Sequence, residues 1–143
     1  MTSKGTAKGD LLAKLNEILE MEVSGVVRYL HYSLMITGPN RIPITKFFRD
    51  RAQEAILHAT IIGEKITALG GHPSLKVSSV PETKTHTVMD ILEESLSFER
   101  QGIEMYGSIL PLCQGNIALE ELVRDLVRQE TEHVEEVEKM LRK

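Results

Sequence analysis

The chain has 143 residues, 41% of them hydrophobic and 27% charged, with a formal net charge of -4. That length fits one domain with a sizeable core, and the lack of a basic block argues against a nucleic-acid partner. The single cysteine, Cys113, excludes an internal disulfide framework and any CxxC metal knuckle, and suits a reducing compartment.

The N-terminal stretch MTSKGTAKGD is polar and has no hydrophobic signal core. Residues 1–9 are expected to form a flexible tail ahead of one domain over residues 10–143. No apolar run approaches the ~18 residues of a membrane span. The cytoplasm is the expected location, with no membrane partner.

Gly and Pro punctuate the rest of the chain at Gly38-Pro39-Asn40, Gly70-Gly71-His72-Pro73 and Pro111 to Gly115. Four segments of helical periodicity lie between these breaks. The first runs from about Asp10 to Thr37, with Asp10 as its expected N-cap. The second runs from about Pro43 to Leu69, with Pro43 suited to a first helical turn. The third runs from about Val88 to Leu110, opened by Thr87 and Asp90 in the spacing of a capping box. The fourth runs from about Ile117 to Arg142, capped by Asn116.

The connections set the topology. Two are short, so helices one and two, and helices three and four, should be antiparallel pairs. The link from Gly70 to Thr87 could reach roughly 55 Å when extended. The second helix is roughly 40 Å long. The link can therefore run back along the bundle and start the third helix parallel to the second. The expected class is all-α, a four-helix bundle with one long crossover.

Residues that alternate in steps of three and four form the buried seam of each helix. The first seam reads Leu11, Leu15, Ile18, Glu22, Gly25, Tyr29, Tyr32, Ile36. The second reads Phe48, Ala52, Ala55, His58, Ile62, Ile66, Leu69. The third reads Leu92, Leu96, Glu99, Ile103, Tyr106, Leu110. The fourth reads Leu119, Val123, Leu126, Glu130, His133, Val137, Met140. Each is apolar except near its middle, where Glu22, His58, Glu99, and Glu130 with His133 fall. Desolvating three carboxylates costs several kcal/mol each unless something compensates their charge. No Lys or Arg occupies these seams, so a divalent metal is the expected counter-charge. Glu130 and His133 stand at i, i+3 and share a face. Carboxylates with imidazole suit iron or manganese, and zinc is tolerated. Any one of these residues alone would read as a boundary glutamate or a satisfied core histidine. Tyr29 and Tyr106, each seven residues past a seam glutamate, read as core packing or as phenols bonded to a ligand carboxylate.

These stretches resemble the bacterioferritins and their ferritin-like relatives, from about Asp10 to Leu141. The resemblance rests on LNEILEMEVSGVVRY around Glu22, EAILHA and EKITALGGHP around and after His58, SFERQG around Glu99, and RQETEHV around Glu130 and His133. It implies a ferritin-like four-helix bundle with a di-iron ferroxidase site. The implied ligands are Glu22, His58, Glu99, the bridging Glu130 and His133, with Tyr29 beside them. Glu22, Glu99, Glu130 and Tyr29 would serve the oxidation itself. One metal position would take Glu22, His58 and Glu130, and the other Glu99, His133 and Glu130.

The chain departs from the family pattern at three places. The second bridging glutamate is replaced by Ala55, and Glu54 is turned ~100° away around the helix, where it could reach only an outer metal position. Ile56 stands where a haem-ligating Met would be, so no haem is expected. Only Val134 to Lys143 follow His133, too few for the family's short fifth helix. Three carboxylates balance two divalent ions incompletely, so one metal should bind better than the other. One or two ions per chain are expected.

The expected function is iron binding, oxidation and storage. The alternatives are a degenerate relative that binds metal for structure or sensing without turnover, and a di-metal enzyme acting on peroxide or an organic substrate. A second apolar stripe on the first helix (Leu12, Leu19, Val23, Val27, Leu30, Leu34) points to a homodimer or a larger homo-oligomeric shell. His31, His72 and His86 read as surface residues off the centre.

Overall fold

A computed structural model describes residues 3–82 and 85–142. It contains α1 (Ser3–Met35), α2 (Arg41–Ala68), α3 (Val88–Ile109), a 3-10 turn (Leu110–Cys113) and α4 (Ile117–Leu141), and no strand among the described residues. Helix α1 starts ahead of the expected boundary. Asp10 lies inside it and is not its cap: Gly5 and Gly9, which would read as a break, weaken a helix without stopping it. Met1 and Thr2 of the expected tail fall outside the described residues.

The chain forms two compact units, one of Asn16–Ile91 and one of Met1–Leu15 with Leu92–Lys143. The first holds most of α1, all of α2 and the crossover. Gly38, at φ +97°, makes the turn that a side chain would resist. Past it, α2 runs antiparallel to α1. Thr45 Oγ1 donates to the Ser33 carbonyl at 3.4 Å, Tyr29 stacks on Phe48 with ring centres 6.3 Å apart, and His58 meets Glu22. Rising numbers on α2 thus meet falling numbers on α1. The helix ends in a Schellman motif, with Gly70 N donating to Thr67 O and Gly71 N to Ile66 O.

The crossover then turns back along α1. Asn16 donates to the His72 carbonyl and accepts from Ser74 N. Ser78 N donates to Glu20 O, and Glu82 stands near His31. It climbs α1 from the level of Asn16 to that of His31, so α3 starts at the end where α2 started. Thr87 Oγ1 accepts from Asp90 N at 3.2 Å, the expected cap.

In the second unit, α3 and α4 are also antiparallel. Glu93 and Leu96 line one cleft with Leu141, and Gly107 and Leu110 line another with Glu120 and Arg124, so rising numbers on α3 meet falling numbers on α4, with Glu99 near Glu130 and His133 between them. Asn116 caps α4 by accepting from Leu119 N at 3.1 Å. All eight expected seam positions of α1 are buried, as are those of α2 up to Ile66. The α4 seam departs from expectation near its end, where Val134 is buried and Met140 exposed.

Candidate metal centre

Each unit buries carboxylate and histidine side chains of its own. In the α1–α2 unit the buried faces put Glu22 and His58 opposite each other at 4% and 2% exposure. His58 Nδ1 lies 2.9 Å from Glu22 Oε2.

Ala55, one helical turn before His58, is buried and brings no carboxylate. Glu54 is turned elsewhere: Arg51 Nη1 lies 3.3 Å from Glu54 Oε2, and Glu54 joins no metal-sized cluster among the described residues. Its angular offset on α2 keeps it from replacing the missing glutamate. Tyr29 is buried among Tyr32 and Phe48. Arg28, which falls on no predicted seam, is buried and donates to the Tyr32 hydroxyl at 3.2 Å. A step of four residues from Arg28 to Tyr32 was the only signal for it.

In the α3–α4 unit Glu99, Glu130 and His133 converge. Their ligand atoms all lie within 4.8 Å of one another. His133 Nδ1 is 3.6 Å from Glu130 Oε2 and 3.8 Å from Glu99 Oε2. Both glutamates are buried, and the His133 side chain is only 12% exposed. The Glu99 carboxyl is pushed up from 4.5 to about 8, chiefly by burial and then by its hydrogen bond with Glu130, with His133 pulling in the opposite direction. Two carboxylates forced together out of water hold a proton between them near neutral pH. A cation entering there would displace that proton and take over its role. The donor set therefore fits a divalent metal ion: hard oxygens, one imidazole and negative charge in excess.

A ferritin-like domain model matches residues 12–143. The chain belongs to the ferritin-like domain family. Its all-α fold, four helices with one long crossover, is the fold of that family. A ferritin-like, diiron-carboxylate protein from Bacillus anthracis str. Ames is 26% identical, with a TM-score of 0.91 over 99% of this chain and 100% of that one. The bacterioferritin of Desulfovibrio desulfuricans is 22% identical, with a TM-score of 0.88 over 99% and 83%. A dodecameric thioferritin, the bacterioferritin-related protein from Bacteroides fragilis, is 23% identical, with a TM-score of 0.85 over 94% and 85%. Among the described residues no helix of this ferritin-like chain is long and apolar enough to cross a membrane.

Proposed function

We propose that the chain binds Fe(II) in a dinuclear carboxylate–histidine centre, oxidises it with dioxygen or peroxide, and stores the product in a homo-oligomeric shell. The observation that carries this reading is the Glu99–Glu130–His133 cluster, two buried carboxylates and a nearly buried imidazole whose ligand atoms lie within 4.8 Å of one another. Glu22 and His58 supply the second metal position. Iron, as the substrate, supplies the electrons that reduce the oxidant. The chain's residues hold it. Glu99 gives up its proton as metal enters, and His58 and His133 bind through neutral nitrogens. Tyr29 lies two helical turns past Glu22 on the same buried face of α1. Manganese and zinc match the same donors and would compete. With Ile56 at the position of a haem-ligating Met, no haem takes part.

The family adds support. The Bacillus anthracis relative is described as a diiron-carboxylate protein, and the Desulfovibrio bacterioferritin has a diiron site seen in different catalytic states. The dodecameric Bacteroides thioferritin supports a shell. So do Val27, Leu30 and Leu34 on α1 and Ile56 and Leu57 on α2, large apolar side chains about half exposed in the single chain. A cytoplasmic site of action suits a chain with one buried free cysteine.

Ala55 favours a second reading, in which the centre binds metal for structure or sensing and does not turn over. Anaerobic addition of Fe(II) followed by exposure to oxygen, monitored by the rise in ferric absorbance, separates the two. Oxidation faster than in a Glu130→Ala control supports the ferroxidase reading. Equal rates would leave only metal binding.

A further inference from the structure

His31 and His86 are of intermediate burial, with the His31 side chain 43% exposed. His72 alone of the three is exposed. The crossover lays Glu82 and His86 against the upper part of α1. There the ligand atoms of His31, Glu82 and His86 lie within 4.8 Å of one another. His31 Nε2 is 3.6 Å from Glu82 Oε1. The two imidazole rings stand edge to face with centres 6.4 Å apart. The Nε2 atoms of both histidines are shielded from solvent and make no hydrogen bond among the described residues. Two shielded nitrogens left without a hydrogen bond are costly, and a cation at the point they share with Glu82 would satisfy both.

We propose that His31, Glu82 and His86 bind one divalent transition-metal ion of the zinc class, separate from the carboxylate centre. Two neutral imidazoles and one carboxylate match zinc, cobalt or nickel in preference to magnesium or calcium, which take oxygen ligands. Tetrahedral ligand atoms at ~2.1 Å from a metal stand roughly 3.4 Å apart. The ligand atoms, now within 4.8 Å of one another, would draw together to that size on binding, and the largely exposed Glu82 side chain is free to move. Water completes the coordination. His31 is nine residues past Glu22, roughly 13 Å along α1, so the ion would not share ligands with the centre. Its bonds join α1 to the last part of the crossover just before α3, and so pin the return of the chain.

Cobalt(II) is the probe, read by equilibrium dialysis and by its visible absorption. The wild-type chain should bind one more Co(II) per chain than the His31→Ala/His86→Ala variant, whose helix content is checked by circular dichroism. Glu82→Gln, a milder change on an exposed side chain, should weaken that extra equivalent by about tenfold. The equivalent should persist in Glu130→Ala, which impairs the carboxylate centre. Equal Co(II) stoichiometry in the wild type and the folded double variant would overturn the proposal. So would loss of the extra equivalent in Glu130→Ala, since it would assign that ion to the carboxylate centre.

Discussion

The two parts of the candidate centre are built from the same residue types and differ in charge. The α1–α2 unit offers one carboxylate and one imidazole, Glu22 and His58, in direct contact at 2.9 Å. The α3–α4 unit offers two carboxylates and one imidazole, and there the carboxylates hold a proton between them, with Glu99 pushed up to about 8. The difference traces to one position. Ala55 lies on the buried face of α2, one turn from His58, where a glutamate would have made the two parts equal. The number of carboxylates decides which part holds a divalent ion better: once metal displaces the shared proton, two against one in a poorly solvated interior. The α3–α4 part is therefore expected to load first, and the α1–α2 part to depend on it.

Breaking the richer part should have the largest effect. Glu130→Ala removes one of its two carboxylates. Metal affinity and Fe(II) oxidation are expected to fall by at least about 100-fold, measured by anaerobic titration and by ferric absorbance. Adding the missing charge should act in the opposite direction. Ala55→Glu is expected to raise metal stoichiometry towards two per chain and to speed Fe(II) oxidation by about tenfold or more. Unchanged stoichiometry would show that the poorer part is not limited by charge.

A third expectation concerns pH. With metal removed by a chelator, Glu99 keeps its proton up to about 8 in the folded chain, against an ordinary value of 4.5. Between those two values the folded state binds more protons than the unfolded state. Stability is then fully present below 4.5 and is lost as pH rises through about 8. The melting temperature of the metal-free protein should fall across that window, and Glu99→Gln should flatten the fall. Metal binding should release protons in the same window and tighten as pH rises. A melting temperature that does not change between pH 5 and about 8 would contradict the shared proton.

The smallest effect is expected at Tyr29. Tyr29→Phe keeps the ring between Tyr32 and Phe48. If the hydroxyl steadies a ligand carboxylate, oxidation should slow by no more than about tenfold. No change would make Tyr29 a packing residue only.

Much of this arrangement was legible in the sequence, because bundle seams repeat in steps of three and four and their polar exceptions stand out. Glu22, His58, Glu99 and Glu130 are buried where the spacing puts them. The direction of the crossover followed from its length. Its contacts did not follow, since a segment without periodicity gives no register against the helix it crosses. That is why His31 and His86 read as surface residues although they meet beside Glu82. The start of α1 was missed for a related reason: Ser3 to Gly9 carry no apolar period, yet nothing in them stops a helix. Arg28 was missed because a long side chain can bury its stem from a position beside the seam and bond its head to Tyr32.

The central claim, a buried carboxylate–histidine metal centre dominated by its α3–α4 part, is tested most directly by counting bound iron. Anaerobic Fe(II) dialysis followed by metal analysis should be run in the His31→Ala/His86→Ala background, which removes the ion proposed beside the crossover. One tightly held iron per chain, lost in Glu99→Ala and retained with a weaker second equivalent in His58→Ala, is the expected result. Iron binding that survives Glu99→Ala undiminished, or that is abolished by His58→Ala alone, would contradict it.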